Sequence, residues 1–117
     1  MFPSNSFIAT NIGSVAVAEL ADPAIGKPVA VEQPEKCFTI KTATGKVFRC
    51  GRTARIVLYG GGYVFAWESL GCTIMTQNGA EDVISVAEAD QPVKVWTLAL
   101  ASAPHIATID NICFICD

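Results

Sequence analysis

Chemically versatile side chains are sparse in this sequence. Cys113-Phe-Ile-Cys116 is a CxxC, and on a loop two thiols at that spacing share a metal ion or close a redox disulfide. On a strand, residues three apart point to opposite faces, which spoils chelation. Cys37, Cys50 and Cys72 supply no second CxxC to complete a tetrahedral zinc site, so the pattern favours structural, redox-silent thiols. His105 is the one histidine, and any Ser-His-Asp or Cys-His arrangement must use it. It follows Pro104 at the head of the penultimate strand-like segment, a setting more usual for a packed or solvent-facing imidazole than for a catalyst. Glu81-Asp82, Glu88 and Asp90 read as solvated turn and edge carboxylates. Gly60–Gly62 is followed by neither a helix nor Lys-Ser/Thr, which argues against a phosphate loop.

The elements that must position these residues show period two. "SVAVAEL", "KCFTIKT", "KVFRC", "RIVLYGG", "CTIMTQ", "VKVWTLALA", "HIATI" and "NICFICD" are short and rich in β-branched or aromatic residues. Turn signals separate such runs: Asn11-Ile12-Gly13, Thr44-Gly45, Gly60–Gly62, Asn78-Gly79 and Asp90-Gln91-Pro92. The expected architecture is all-β, about a dozen short strands, in one domain over residues 1–117. Helical turns are expected only near Ala16–Leu20 and Ala66–Leu70. A faint recurrence links "TNIGSVAVAEL" to "YGGGYVFAWESL": each reads turn, apolar strand, acidic residue, Leu.

Composition narrows the function classes. Of 117 residues, 51% are hydrophobic and 16% charged, the profile of a chain with a real core. A net charge of −3 offers no basic face for nucleic acid or an acidic membrane. No uncharged apolar run reaches the roughly 18 residues of a membrane span, and no basic stretch precedes an apolar one as in a signal peptide. Five scattered cysteines, an odd number, read as reduced thiols of a cytoplasmic protein.

The order of the pieces resembles a Hint (hedgehog/intein) domain across essentially the whole chain. "MFPSNSFIATNIGSVAVAEL" is similar to the family's opening, which runs from a nucleophile through two strands to Glu-Leu. "KVFRCGRTARIVLYGGGYVFAWESLGCTIMTQNG" resembles its central stretch, with a Thr-x-x-His signature, a Gly turn and a W/Y-x-x-A-x-x-L run. "DVISVAEADQPVKVWTLALASAPHIATIDNICFICD" resembles its closing blocks, where a "VYDL"-like strand precedes a His-led strand and a final His-Asn. The faint recurrence suits a compact, pseudo-two-fold, horseshoe-like β fold.

The resemblance implies a minimal intein or bacterial intein-like element, without an endonuclease insertion, that needs no cofactor or metal. Met1 stands at the position of the nucleophilic Cys or Ser, whose acyl shift a thioether cannot perform. Gly51 and Ala54 stand at the Thr-x-x-His positions, so the imidazole that polarises the first scissile amide is missing. Thr97 replaces the usual Asp of the "VYDL"-like strand. His105 matches the family's strand-leading His. Cys116 and Asp117 take the places of the penultimate His and the final, cyclising Asn. The implied activity is self-splicing or autocleavage by intramolecular acyl transfer, inert here because of Met1, with an oxyanion site around Thr97, His105 and nearby amides. The implied partners are flanking host-protein segments in cis, acting on a monomer, and the abrupt apolar ends read as the edges of an embedded element. The rival expectation is a non-catalytic structural or partner-binding β module of a phage or bacterial protein. A third is zinc held by Cys113, Cys116 and His105.

Overall fold

Alternation of apolar and polar residues dictates strands, and strands dominate the computed structural model, which describes residues 1–116. In chain order they are β1 (Phe2–Pro3), β2 (Phe7–Thr10), β3 (Gly13–Ala16), β4 (Gly26–Ala30), β5 (Cys37–Thr42), β6 (Val47–Gly51) and β7 (Arg55–Val57). Then come β8 (Tyr63–Phe65), β9 (Thr73–Thr76), β10 (Gly79–Glu88), β11 (Val95–Leu100), β12 (Ile106–Ile109) and β13 (Ile112–Ile115). Single 3₁₀ turns follow β3 at Val17–Glu19 and β8 at Ala66–Glu68, where the sequence places its helical turns. The faint repeat is therefore a shared strand-plus-turn unit.

A small sheet runs β1-β11-β4, and a larger one runs β3-β2-β12-β13-β9-β10-β5-β6, with the β7-β8 hairpin joined through β13. Every strand pair is antiparallel. β10 pairs its first half with β9 and its second with β5, and a register shift between Val83 and Ser85 bends it from one partner to the other. The β12-β13 turn is Asp110-Asn111, both at positive φ (51° and 68°), the geometry of a tight two-residue hairpin.

Inward residues of both sheets form one apolar cluster that includes Phe2, Ile40, Ile56, Ile74, Leu98, Ile112 and Phe114. Phe114 meets Phe2 edge-on at 4.9 Å and Phe48 at 6.1 Å between ring centroids, the favoured aromatic geometry.

Glu81 departs from its reading as a solvated residue: it is only 7% exposed. It shares the inward face of β10 with Val83, so pleating turns it inside. Its carboxylate accepts hydrogen bonds from Thr42 Oγ1 (2.7 Å), Thr44 Oγ1, Lys46 Nζ (2.8 Å) and Thr76 Oγ1 (3.1 Å). The Lys46 ammonium leads in holding the carboxyl down at about 2, with the threonine hydroxyls reinforcing it.

Candidate functional site

The site forms where β1 meets β11. Antiparallel pairing sets Phe2 against Trp96 and Pro3 against Val95. Met1 O accepts a hydrogen bond from Gly51 N at 2.5 Å, which anchors β1 to the end of β6. The Met1 ammonium lies 3.7 Å from Glu35 Oε2, and Glu35 Oε1 accepts longer bonds from Thr53 N (3.3 Å) and Thr53 Oγ1 (3.4 Å). Glu35 is itself fixed by paired backbone hydrogen bonds with Val93 (2.9 and 3.0 Å).

Gly51 is a glycine for space. A β-carbon there would collide with the Glu35 carboxylate and come within 3.0 Å of Met1 O. Gly51 thus gives its volume to a carboxylate. Burial pulls the Met1 amine below its ordinary value, opposed first by Glu35. Burial likewise raises the Cys37 and Cys50 thiols, which keeps them protonated and poorly nucleophilic.

The turn from Gly51 to Ala54, closed by Ala54 N donating to Gly51 O (3.2 Å), leads from the Met1 side to the other end of the chain. Fully buried Ala54 precedes Arg55, which pairs with Ile115 on β13. The backbone of Cys116 is tied to His105, whose carbonyl accepts Cys116 N at 2.7 Å. His105 has a left-handed backbone (φ 61°) and is exposed, whereas Cys116 is fully buried. Thr97 is half-buried, and its hydroxyl donates to Val29 O across the small sheet (3.4 Å).

Among the expected residues, Met1 is bonded to Gly51, Gly51 to Ala54 and His105 to Cys116, all through the backbone, while Thr97 bonds to Val29. Asp117 lies outside the described residues. Ala54 offers no acid or base. Cys113 lies in β13 and Cys116 just beyond its end, and among the described residues no three His, Cys, Asp or Glu side chains cluster to hold a metal. Glu35 escaped the sequence reading. It sits in "QPEKCFT", which reads as a polar turn, and no periodicity marks it.

No family model matches the chain, and no curated protein matches it. Solved structures do. A DnaB intein from Synechocystis sp. PCC 6803 superposes with a TM-score of 0.81 at 15% identity, over 99% of this chain and 97% of that one. A bacterial intein-like domain from Clostridium thermocellum gives 0.78 at 19% identity, over 99% and 97%. The VidaL intein gives 0.69 at 21% identity, over 94% of this chain and 69% of its own. At these identities the likeness is one of fold.

Proposed function

From the Hint/intein fold that this chain adopts, we propose a self-processing element that acts by intramolecular acyl transfer and cleavage of the peptide bond after its last residue. The supporting observation is the meeting of its two ends. Phe2 and Phe114 touch in the core, and the 51–54 turn bonds to Met1 at one end and leads at the other into the strand paired with Ile115. Two scissile bonds held close together would turn a difficult intermolecular reaction into an intramolecular one, an effect reaching roughly 7–11 kcal/mol.

The parent reaction requires a nucleophile at position 1 to attack the preceding carbonyl, so that an amide becomes an ester or thioester. Met1 has no proton to lose, and the chain with Met1 is inert at that step. Backbone amides, with Thr97 and His105 nearby, would stabilise the oxyanion. The partners of this reading are flanking segments of the same polypeptide. The test places the chain between two reporter proteins with Met1→Cys and Asp117→Asn. Ligated or cleaved reporters on a gel are expected, and intact fusion alone overturns the reading.

A non-catalytic β module is the second reading, favoured by the apolar burial of Ala54 and Cys116 where acid–base groups would be needed. It predicts that the same fusion stays intact although folded.

A further inference from the structure

Glu35 lies against the one nitrogen that must leave if the bond before Met1 is broken. Its Oε2 is 3.7 Å from Met1 N, and its Oε1 is steadied by the Thr53 amide and hydroxyl. Its backbone is locked to Val93 in both directions. Gly51 leaves open the volume that the carboxylate occupies. The position that would carry an imidazole for this task, Ala54, is a buried methyl group. A charged side chain is thus held, with room made for it, at the atom where proton transfer is needed and the expected proton carrier is missing.

We infer that Glu35 is the acid–base group of the first junction, serving the nitrogen of residue 1 in place of an imidazole. This rests on the self-processing reading. With a thiol at position 1, the sulfur bonds to the carbonyl carbon before residue 1 and its proton passes to the Glu35 carboxylate. As the C–N bond breaks, Glu35 returns that proton to the leaving nitrogen, and the carboxylate is regenerated. Glu35 neither gains nor loses a proton over the whole step. Proton transfer of this kind contributes about 10²–10⁴-fold to rate.

The experiment uses the reporter-flanked Met1→Cys chain. Added dithiothreitol releases the N-side reporter through the thioester, and C-side cleavage is followed in parallel. Glu35→Gln should slow N-side release by about 30-fold or more and leave C-side cleavage unchanged. In Glu35→Ala, added formate should restore part of the lost N-side rate, because it refills the carboxylate's place. N-side release within about threefold of the parent overturns the assignment, as does equal slowing at both junctions, which would mark a structural role. If Glu35→Gln does not fold, Glu35→Asp withdraws the carboxylate by one methylene and must show the same N-side selectivity. Absence of N-side release in the folded Met1→Cys parent overturns the acyl-transfer reading of this junction, and Glu35's role with it. That outcome is distinct from a parent that cleaves and a variant that does so equally well.

Discussion

Glu81 and Glu35 are both drawn toward the interior from strand-rich segments, yet their surroundings differ in kind. Glu81 is saturated: three hydroxyls and one ammonium converge on its two oxygens. These donors come from the β5–β6 turn and from β9, so the carboxylate ties one arm of the large sheet together. Glu35 receives two long bonds from a single residue and one ionic contact from the chain's first nitrogen. Buried charge with every lone pair satisfied specifies structure, and it titrates only when the structure is already failing. A carboxylate with spare lone pairs beside a reactive nitrogen remains able to exchange protons. Saturation, more than burial, separates the structural carboxylate from the chemical one.

Removing Glu81 should break the comparison most violently. Glu81→Ala leaves a part-buried Lys46 and three threonine hydroxyls without their shared acceptor, at a cost on the order of 3 kcal/mol. Urea unfolding should show that loss as a lower midpoint. The folded fraction of a reporter-flanked Met1→Cys form should still process its N-side junction at the parental rate. A loss under about 1 kcal/mol would mean that the network is solvated and that Glu81 resembles Glu35 after all.

Acid titration addresses the same carboxylate without mutation. The Glu81 carboxyl lies at about 2 in the folded chain against an ordinary value of 4.5. Its depressed folded value means that the stabilisation is fully present above about 4.5 and is lost as pH falls through about 2. The loss is on the order of 3 kcal/mol, since each pKa unit is worth about 1.4 kcal/mol. Asp110 works in the opposite sense, because burial raises its carboxyl and that contribution grows as pH falls. Subtracting the stability profile of Glu81→Gln from that of the parent isolates Glu81. A difference that stays flat between pH 5 and pH 2 would remove the claim.

The sequence reveals one kind of information about these regions and hides another. Period-two alternation marks β9 and β13, whose apolar residues face the core, and the glycines at 60–62 and 79 mark turns because their positive φ values suit no other residue well. "SVAVAEL" and "YVFAWESL" announce both 3₁₀ turns. Division into two sheets was hidden, because β10 changes partners through a bulge that its residues do not advertise. Both carboxylates were hidden for a related reason. Three of the four donors to Glu81 lie 35 to 39 residues away in sequence, and the space for Glu35 is made by Gly51. A residue's burial is legible when its own strand sets it and illegible when distant segments do.

Space, the feature that distinguishes the Glu35 region, gives the third prediction. Gly51→Ala drives a methyl group into the Glu35 carboxylate and against Met1 O, so the carboxylate must move or β1 must shift. Overpacking of this kind costs about 1–3 kcal/mol. Its effect on chemistry should exceed its effect on stability: N-side release from the Met1→Cys fusion should fall while C-side cleavage persists. Glu35→Gln combined with Gly51→Ala should be no slower at the N side than Glu35→Gln alone, because both act on one group. Additive losses would show that the glycine serves the backbone and not the carboxylate.

The smallest expected effect is also the sharpest test. Glu35→Gln keeps the size of the side chain and its backbone bonds to Val93, and it removes only the charge. The lost contact is a 3.7 Å ion pair at a partly exposed rim, the class of interaction worth about 0–1 kcal/mol. Thermal unfolding should therefore shift by a few degrees at most, against the collapse expected for Glu81→Ala. Its weakness in stability follows from the same incompleteness that leaves Glu35 free to carry a proton. If Glu35→Gln destabilised the chain as much as Glu81→Ala, the carboxylate would be as firmly built into the fold as Glu81. A group so committed could not accept and release a proton at the nitrogen of residue 1 without unfolding its surroundings.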